Sequence, residues 1–190
     1  MRKSLVFGAG IAGMLATSLL GVAPASAASG GTTLTVALTG GSLSITVPAG
    51  PVALSGSAAF GTVLTASIPT STVTDDRGTL LGWTVVGSTT TDLLATATGD
   101  THSIVLDPAL PALPPLSVVM TAPTAVGTSL LSGVTVGAGG PVYPTSTTTL
   151  ETALLGAGGG SYDYSGTVTF IVPSNAYADN YSTTLTQTVS

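Results

Sequence analysis

One histidine, His102, stands in the stretch Gly99, Asp100, Thr101, His102, Ser103. Any serine–histidine–acid chemistry in this chain would have to run through it. The nucleophile of such a site sits on a strained turn between strand and helix, and no segment here offers that setting. The His102 stretch therefore reads as a polar loop. Glu151 and Asp163 are the carboxyls that glycoside hydrolysis could use as acid and base. Nothing in their spacing brings them together. Asp75, Asp76 and Asp179 lack the alternation of a calcium loop. With no cysteine there is neither a thiolate metal site nor a disulfide framework. The expectation is a non-enzyme with no catalytic residue, no metal and no cofactor, whose acids are mostly solvated loop residues.

The scarcer side chains are more informative. The only tryptophan, Trp83, lies six residues beyond Arg77. Asp75, Asp76, Arg77 and Gly78 predict a tight turn. Asp at its first position can accept a hydrogen bond from the backbone ahead, and Gly suits its fourth. Arg77 reads as the local counter-ion of Asp75 and Asp76 rather than as a binding residue. The following strand should place Leu81, Trp83 and Val85 on one face, with Trp83 packed in the core rather than offered as a sugar platform. Tyr181 opens the last strand after a turn, the position of the tyrosine corner in immunoglobulin-like sandwiches. Asn180, Tyr181 and Ser182 also spell a formal glycosylation sequon.

Charge and the N-terminus limit the partners. Met1, Arg2 and Lys3 precede an apolar stretch from Leu5 to Val22, and Ala25, Ser26 and Ala27 supply the small residues of a signal-peptidase site. Residues 1–27 thus read as a secretory signal peptide, leaving 28–190 as one domain. Removing Arg2 and Lys3 takes the formal charge from −5 to −7 and leaves Arg77 as the sole Lys or Arg. Nucleic acid is excluded, because phosphate binding needs clusters of basic residues. Electrostatic capture by anionic lipids or wall polymers is disfavoured for the same reason. Charged residues are 6% of the chain, against about 25% in ordinary domains. Solubility must rest on Ser and Thr hydroxyls and exposed backbone. Lacking a lipobox cysteine or a C-terminal sorting tail, the chain would be held at a surface non-covalently.

The elements that must position these residues are strands. Leu34, Val36 and Leu38 alternate with small residues, and Gly40 and Gly41 predict a hairpin into Leu43, Ile45 and Val47. A second β region spans 61–74. The prolines of 107–115 predict a loop or edge segment, whereas 116–121 and 132–136 suit short strands. Residues 150–155 fit a strand or a helical turn. Val168, Phe170 and Val172 share a face, and Pro173 stops that strand. Tyr181, Thr183, Leu185, Gln187 and Val189 alternate with hydroxyl residues in one last strand. Short strands, frequent turns and no long amphipathic helix beyond the leader indicate an all-β fold, a sandwich of mainly antiparallel strands.

Two blocks of this sequence resemble the WxL-domain family of secreted Gram-positive surface proteins. The first runs from Thr72 through Asp75, Asp76, Arg77 and Gly78 to Gly82, Trp83, Thr84 and Val85. The second runs from Gly166 through Pro173 and Tyr181 to Val189. Val85 stands where the family name expects Leu, Asn180 where the family tends to have Gly, and the second Trp of the pattern would fall near Gln187. The resemblance implies an immunoglobulin-like sandwich. It also implies a cell-wall-associated protein that binds peptidoglycan or companion surface proteins without covalent attachment. A self-assembling subunit pairing through strand edges is the alternative, since few lysines guard the edges. A cell-wall glycan hydrolase is a remote third. The mature protein is expected to begin at Ala28, as N-terminal sequencing of the secreted form would establish; a cell-bound species keeping Met1 would reverse this.

Overall fold

In a computed structural model the described residues are 35–56, 59–97, 99–109 and 116–190. Residues 1–27, read above as a signal peptide, Leu34, and most of the proline-rich segment, 110–115, lie outside them. Residues 38–190 form one compact unit. Thirteen strands follow in order: β1 (Leu43–Thr46), β2 (Val63–Asp75), β3 (Trp83–Thr89), β4 (Leu93–Ala95), β5 (Ser103–Ile104), β6 (Leu116–Met120) and β7 (Thr124–Val126). The rest are β8 (Val134–Val136), β9 (Gly140–Val142), β10 (Thr148–Ala153), β11 (Gly160–Ile171), β12 (Tyr181–Ser182) and β13 (Leu185–Val189).

The fold is all-β and every strand pairing is antiparallel. The larger sheet runs β1-β2-β11-β6-β9, with β7 also on β11; the second runs β13-β3-β10-β8, and a small one runs β12-β4-β5. The two main sheets face each other. The ring of Trp83, on β3, lies 5.8 Å from that of Tyr162, on β11. The hydroxyl of Tyr164 crosses the same gap to Gln187 on β13. This two-layer arrangement is consistent with a β-sandwich.

Period two holds along most strands. On β3, Trp83, Val85 and Thr89 are buried, while Thr84, Val86 and Ser88 are less so. On β11, Tyr162, Tyr164, Val168 and Phe170 all point inward. It breaks at two bulges. Across from β11, Tyr164 pairs with Ser71 but Gly166 pairs with Ile68, so Pro69 and Thr70 together oppose Ser165. Pro69 has no N–H for the ladder, and a bulge is where a central strand can hold such a residue. On β10 the register slips between Thr149 and Glu151, leaving Leu150 as the extra residue. Each slip turns the next residue inward, Ser71 in one case and Glu151 in the other.

Several expectations need correction. Gly40 and Gly41 do not turn a hairpin, and 35–42 is not strand. Instead β1 pairs with the end of β2, Leu43 opposite Asp75. Gly41 donates to the Asp76 carbonyl at 2.7 Å, and a side chain there would strike Asp76. The Asp75–Gly78 turn leads from one sheet into another, since β2 and β3 belong to different sheets. Leu81 does not join Trp83 on the core face. It is 63% exposed, because Gly82 adopts a φ of 74° and the strand begins only at Trp83. Of the two alternatives left open for 150–155, the strand is the one found, as part of Thr148–Ala153. The last strand is two, β12 and β13, in different sheets, though Thr186 and Thr188 do face outward as expected.

Trp83 is 3% exposed and its indole N–H donates to the Gly158 carbonyl at 2.9 Å. Trp83→Ala should therefore cost about 3–5 kcal/mol in denaturant unfolding, much of the stability of an ordinary domain. The native indole should emit as a buried one, and water-exposed emission would contradict this packing.

Candidate functional site

The chain passes from one main sheet to the other at residues 75–83. Arg77 grips the Asp75 carboxylate with both prongs, Nε to Oδ1 at 2.9 Å and Nη2 to Oδ2 at 3.0 Å. Nη2 also donates to the Gly82 carbonyl at 2.7 Å, tying the end of β2 to the start of β3. The Arg77 backbone N–H caps Asp75 Oδ1 at 3.1 Å, the turn bond expected from sequence. These hydrogen bonds hold the Asp75 carboxyl below its ordinary range against the opposing effect of burial. Arg77 is raised by the same partner. Asp75 is buried, so this is no solvated surface pair, and Asp76 is exposed outside it. Gly78 completes the turn with a φ of 69°.

Beyond Arg77 the loop carries Leu80 at a φ of 50°, the one non-glycine with positive φ among the described residues. That conformation is held by a hydrogen bond from Gly156 N–H to the Leu80 carbonyl at 2.8 Å. Three loops meet here around a groove of about 580 Å³ whose lining includes Leu80, Leu130, Leu154, Leu155 and Tyr162. With Leu81 and Leu131 beside them, six leucines stand exposed at this end of the fold. Tyr162 fixes the floor, its hydroxyl donating toward the carbonyls of Leu130 and Gly159.

A second cluster lies between the sheets. Ser71 and Tyr164 pair across β2 and β11, while Glu151 and Gln187 flank β3, opposite Val85 and Gly87 respectively. Tyr164 Oη donates to Gln187 Oε1 at 2.7 Å, and Gln187 Nε2 lies 3.4 Å from Ser71 Oγ. Gln187 is thus buried and bonded. Glu151 is fully buried and neither carboxylate oxygen has a hydrogen-bond partner. Burial without a partner pushes its carboxyl up from 4.5 to about 8. Desolvation likewise raises the Tyr164 phenol, with Glu151 adding to it and a hydrogen bond with Ser71 opposing.

The remaining candidates are scattered. His102 lies in a surface loop, Nδ1 2.6 Å from Asp100 Oδ1, its ring stacked on Tyr177 with centroids 3.9 Å apart. Asp100 is lowered chiefly by the His102 backbone N–H. Asp163 is on β11's face opposite Tyr164 and takes a hydrogen bond from Thr72, so it does not meet Glu151. The Tyr181 hydroxyl does bond back to the Tyr177 carbonyl at 3.1 Å, but at an exposed position. Pro173 lies two residues past the end of β11, after Val172. Asp75 and Glu151 are buried exceptions to the expectation that most of the acids are solvated. No group of three or more potential metal ligands occurs among the described residues. No helix among them is long and apolar enough to cross a membrane. No family model matches the chain. No curated protein matches it either.

The two displaced carboxyls set opposite pH limits. Folded Glu151 keeps its proton between pH 4.5 and about 8, where the unfolded chain has lost it. Stability should therefore fall as pH rises through that window. Folded Asp75 stays ionised below its ordinary 3.8, so its contribution disappears only as pH drops further. Denaturation midpoints should peak on the acid side of neutrality, and Glu151→Gln should flatten the decline toward pH 8. An unchanged decline in that variant would remove Glu151 as its source.

Proposed function

We propose that the chain is a secreted, non-catalytic surface protein of the WxL type with an immunoglobulin-like sandwich. It associates non-covalently with the cell wall or with companion surface proteins. The observation that carries this reading is the leucine-rimmed groove. Exposed apolar residues scattered singly mean little, but six on three converging loops mark a contact surface. Holding Leu80 in the left-handed region costs backbone energy, and such strain concentrates where a side chain must be presented. The loop that presents it, 75–83, is also the block that carries the family resemblance. Edge-to-edge self-assembly has less support. The outer strands of the two main sheets, β1, β9, β8 and β13, have only four, three, three and five residues, and Pro141 interrupts β9.

The contact is apolar and the mature domain carries a single Arg or Lys, so binding should not depend on Coulomb attraction. Screening shortens the reach of exposed charge from about 10 Å at 0.1 M salt to about 3 Å at 1 M. Retention on purified peptidoglycan sacculi, bare or coated with companion proteins, should hold or rise across that range. Leu154→Asp together with Leu155→Asp should lower retention at least about tenfold, one bound contact's worth of free energy, while leaving the denaturation midpoint near wild type. Release by moderate salt, or full retention by the double variant, would overturn the groove as the contact.

A further inference from the structure

Two apolar features at the same end of the fold stand uncovered. One is the leucine groove. The other is the run that precedes β1. Leu34, Val36 and Leu38 alternate with Thr and Ala in the manner of a strand. Residues 35–42 nevertheless form no strand, and Val36 and Leu38 are 78% and 91% exposed. The pairing register shows which end this is. Leu43, the first residue of β1, lies opposite Asp75, the last of β2, so the chain enters β1 where the 75–83 loop leaves β2. Gly160 also pairs with Asp75, and Val126 with Ser161. The loops that line the groove, 127–133 and 154–159, therefore close that same end. The two surfaces also match in chemistry. No residue from Ala28 to Ser42 is charged, and among the described residues none that lines the groove is charged either. Drawn out as a strand, the run would set Leu34, Val36 and Leu38 on one side at steps of about 6.6 Å.

We propose that the arm 34–38 of one copy lies in the leucine groove of a second copy, which returns its own arm, so that the two form a two-fold dimer. This rests on the groove being a contact surface and names what fills it. A second copy fits better than the chain's own arm. Gly41 is tied down by its N–H bond to the Asp76 carbonyl at 2.7 Å, and only three residues upstream Leu38 is already out in solvent. Closure follows from the shared end. Two copies meeting end to end can each reach the other, whereas an arm and a groove at opposite ends would repeat into an open chain. Reciprocity also supplies area. Three arm side chains fall short of the about 800 Å² per partner of a stable interface, but in the exchange each copy buries both an arm and a groove. The contact uses side chains in a groove rather than the edges of strands. Because the dimer covers the groove, binding to wall or companion protein draws on the monomer.

Analytical ultracentrifugation of the full secreted chain should show monomer and dimer in equilibrium and nothing larger. Leu34→Ser, Val36→Ser and Leu38→Ser together should weaken the dimer at least about tenfold, and so should Leu154→Asp with Leu155→Asp. The arm variant, with its groove left open, should be retained on sacculi at least as well as wild type. The chain has no cysteine, so introduced thiols report cleanly. A mixture of Val36→Cys and Leu155→Cys chains, treated with a short bis-maleimide, should yield a linked pair. A chain carrying both substitutions should link between copies rather than within itself. Linkage within one chain, larger open assemblies, or a dimer that survives both sets of substitutions would overturn the exchange. A chain that stays monomeric at every concentration, while Leu154→Asp with Leu155→Asp still lowers retention on sacculi, would overturn it and leave the groove reading standing. A dimer lost in both variants with retention unchanged in either would support the exchange and remove the wall contact instead.

Discussion

The grip of Arg77 on Asp75 and on the carbonyl of Gly82 is the interaction on which the two-sheet arrangement turns. A buried carboxylate without a partner would be expensive, and Arg77 is the one Arg or Lys among the described residues to offer it. By spending that guanidinium here, the chain fixes where β2 ends, where β3 begins and how it changes sheets between them. Trp83 follows at the first position of β3 and is locked by its indole hydrogen bond to Gly158. Gly40 and Gly41 matter for the same reason. They let the backbone before β1 lie against Asp76 and Arg77, closing the corner from its other side.

Much of this was legible in the sequence, and the limits are instructive. Alternation placed Val168, Phe170 and Val172 on one face, and all three are buried, the first two on β11 and Val172 just past its end. The rarity of Arg and Trp singled out the 75–83 block, and the Asp-led turn chemistry was right. What alternation could not show was pairing partners. A glycine pair between two apolar runs looks the same whether it turns a hairpin or admits a close neighbour. Leu81 was misplaced because a single positive φ at Gly82 resets the phase of every side chain before it.

The interior polar cluster was invisible for a related reason. Ser71 and Glu151 reach the core only because a bulge precedes each. A strict two-residue period assigns Ser71 to the face opposite Ile68, yet both are buried. Pro69 was the available signal, since a proline within a central strand requires an irregularity nearby. On β10 no comparable mark exists, and Leu150 next to Glu151 gives no hint of which residue is extra. The leucines of the groove were equally hard to see, because exposed and buried leucines read alike until loops are brought together.

The length of β11 sets how the molecule opens. Twelve residues long, it is bonded along most of one side to β2 and on the other to β6 and β7. Its amides have no local route to solvent, so they should exchange hydrogen only when the whole domain unfolds. The small β12-β4-β5 sheet has strands of two or three residues and can fray by itself. The protein thus combines a cooperative centre with a yielding margin, and the Tyr181 region belongs to the margin.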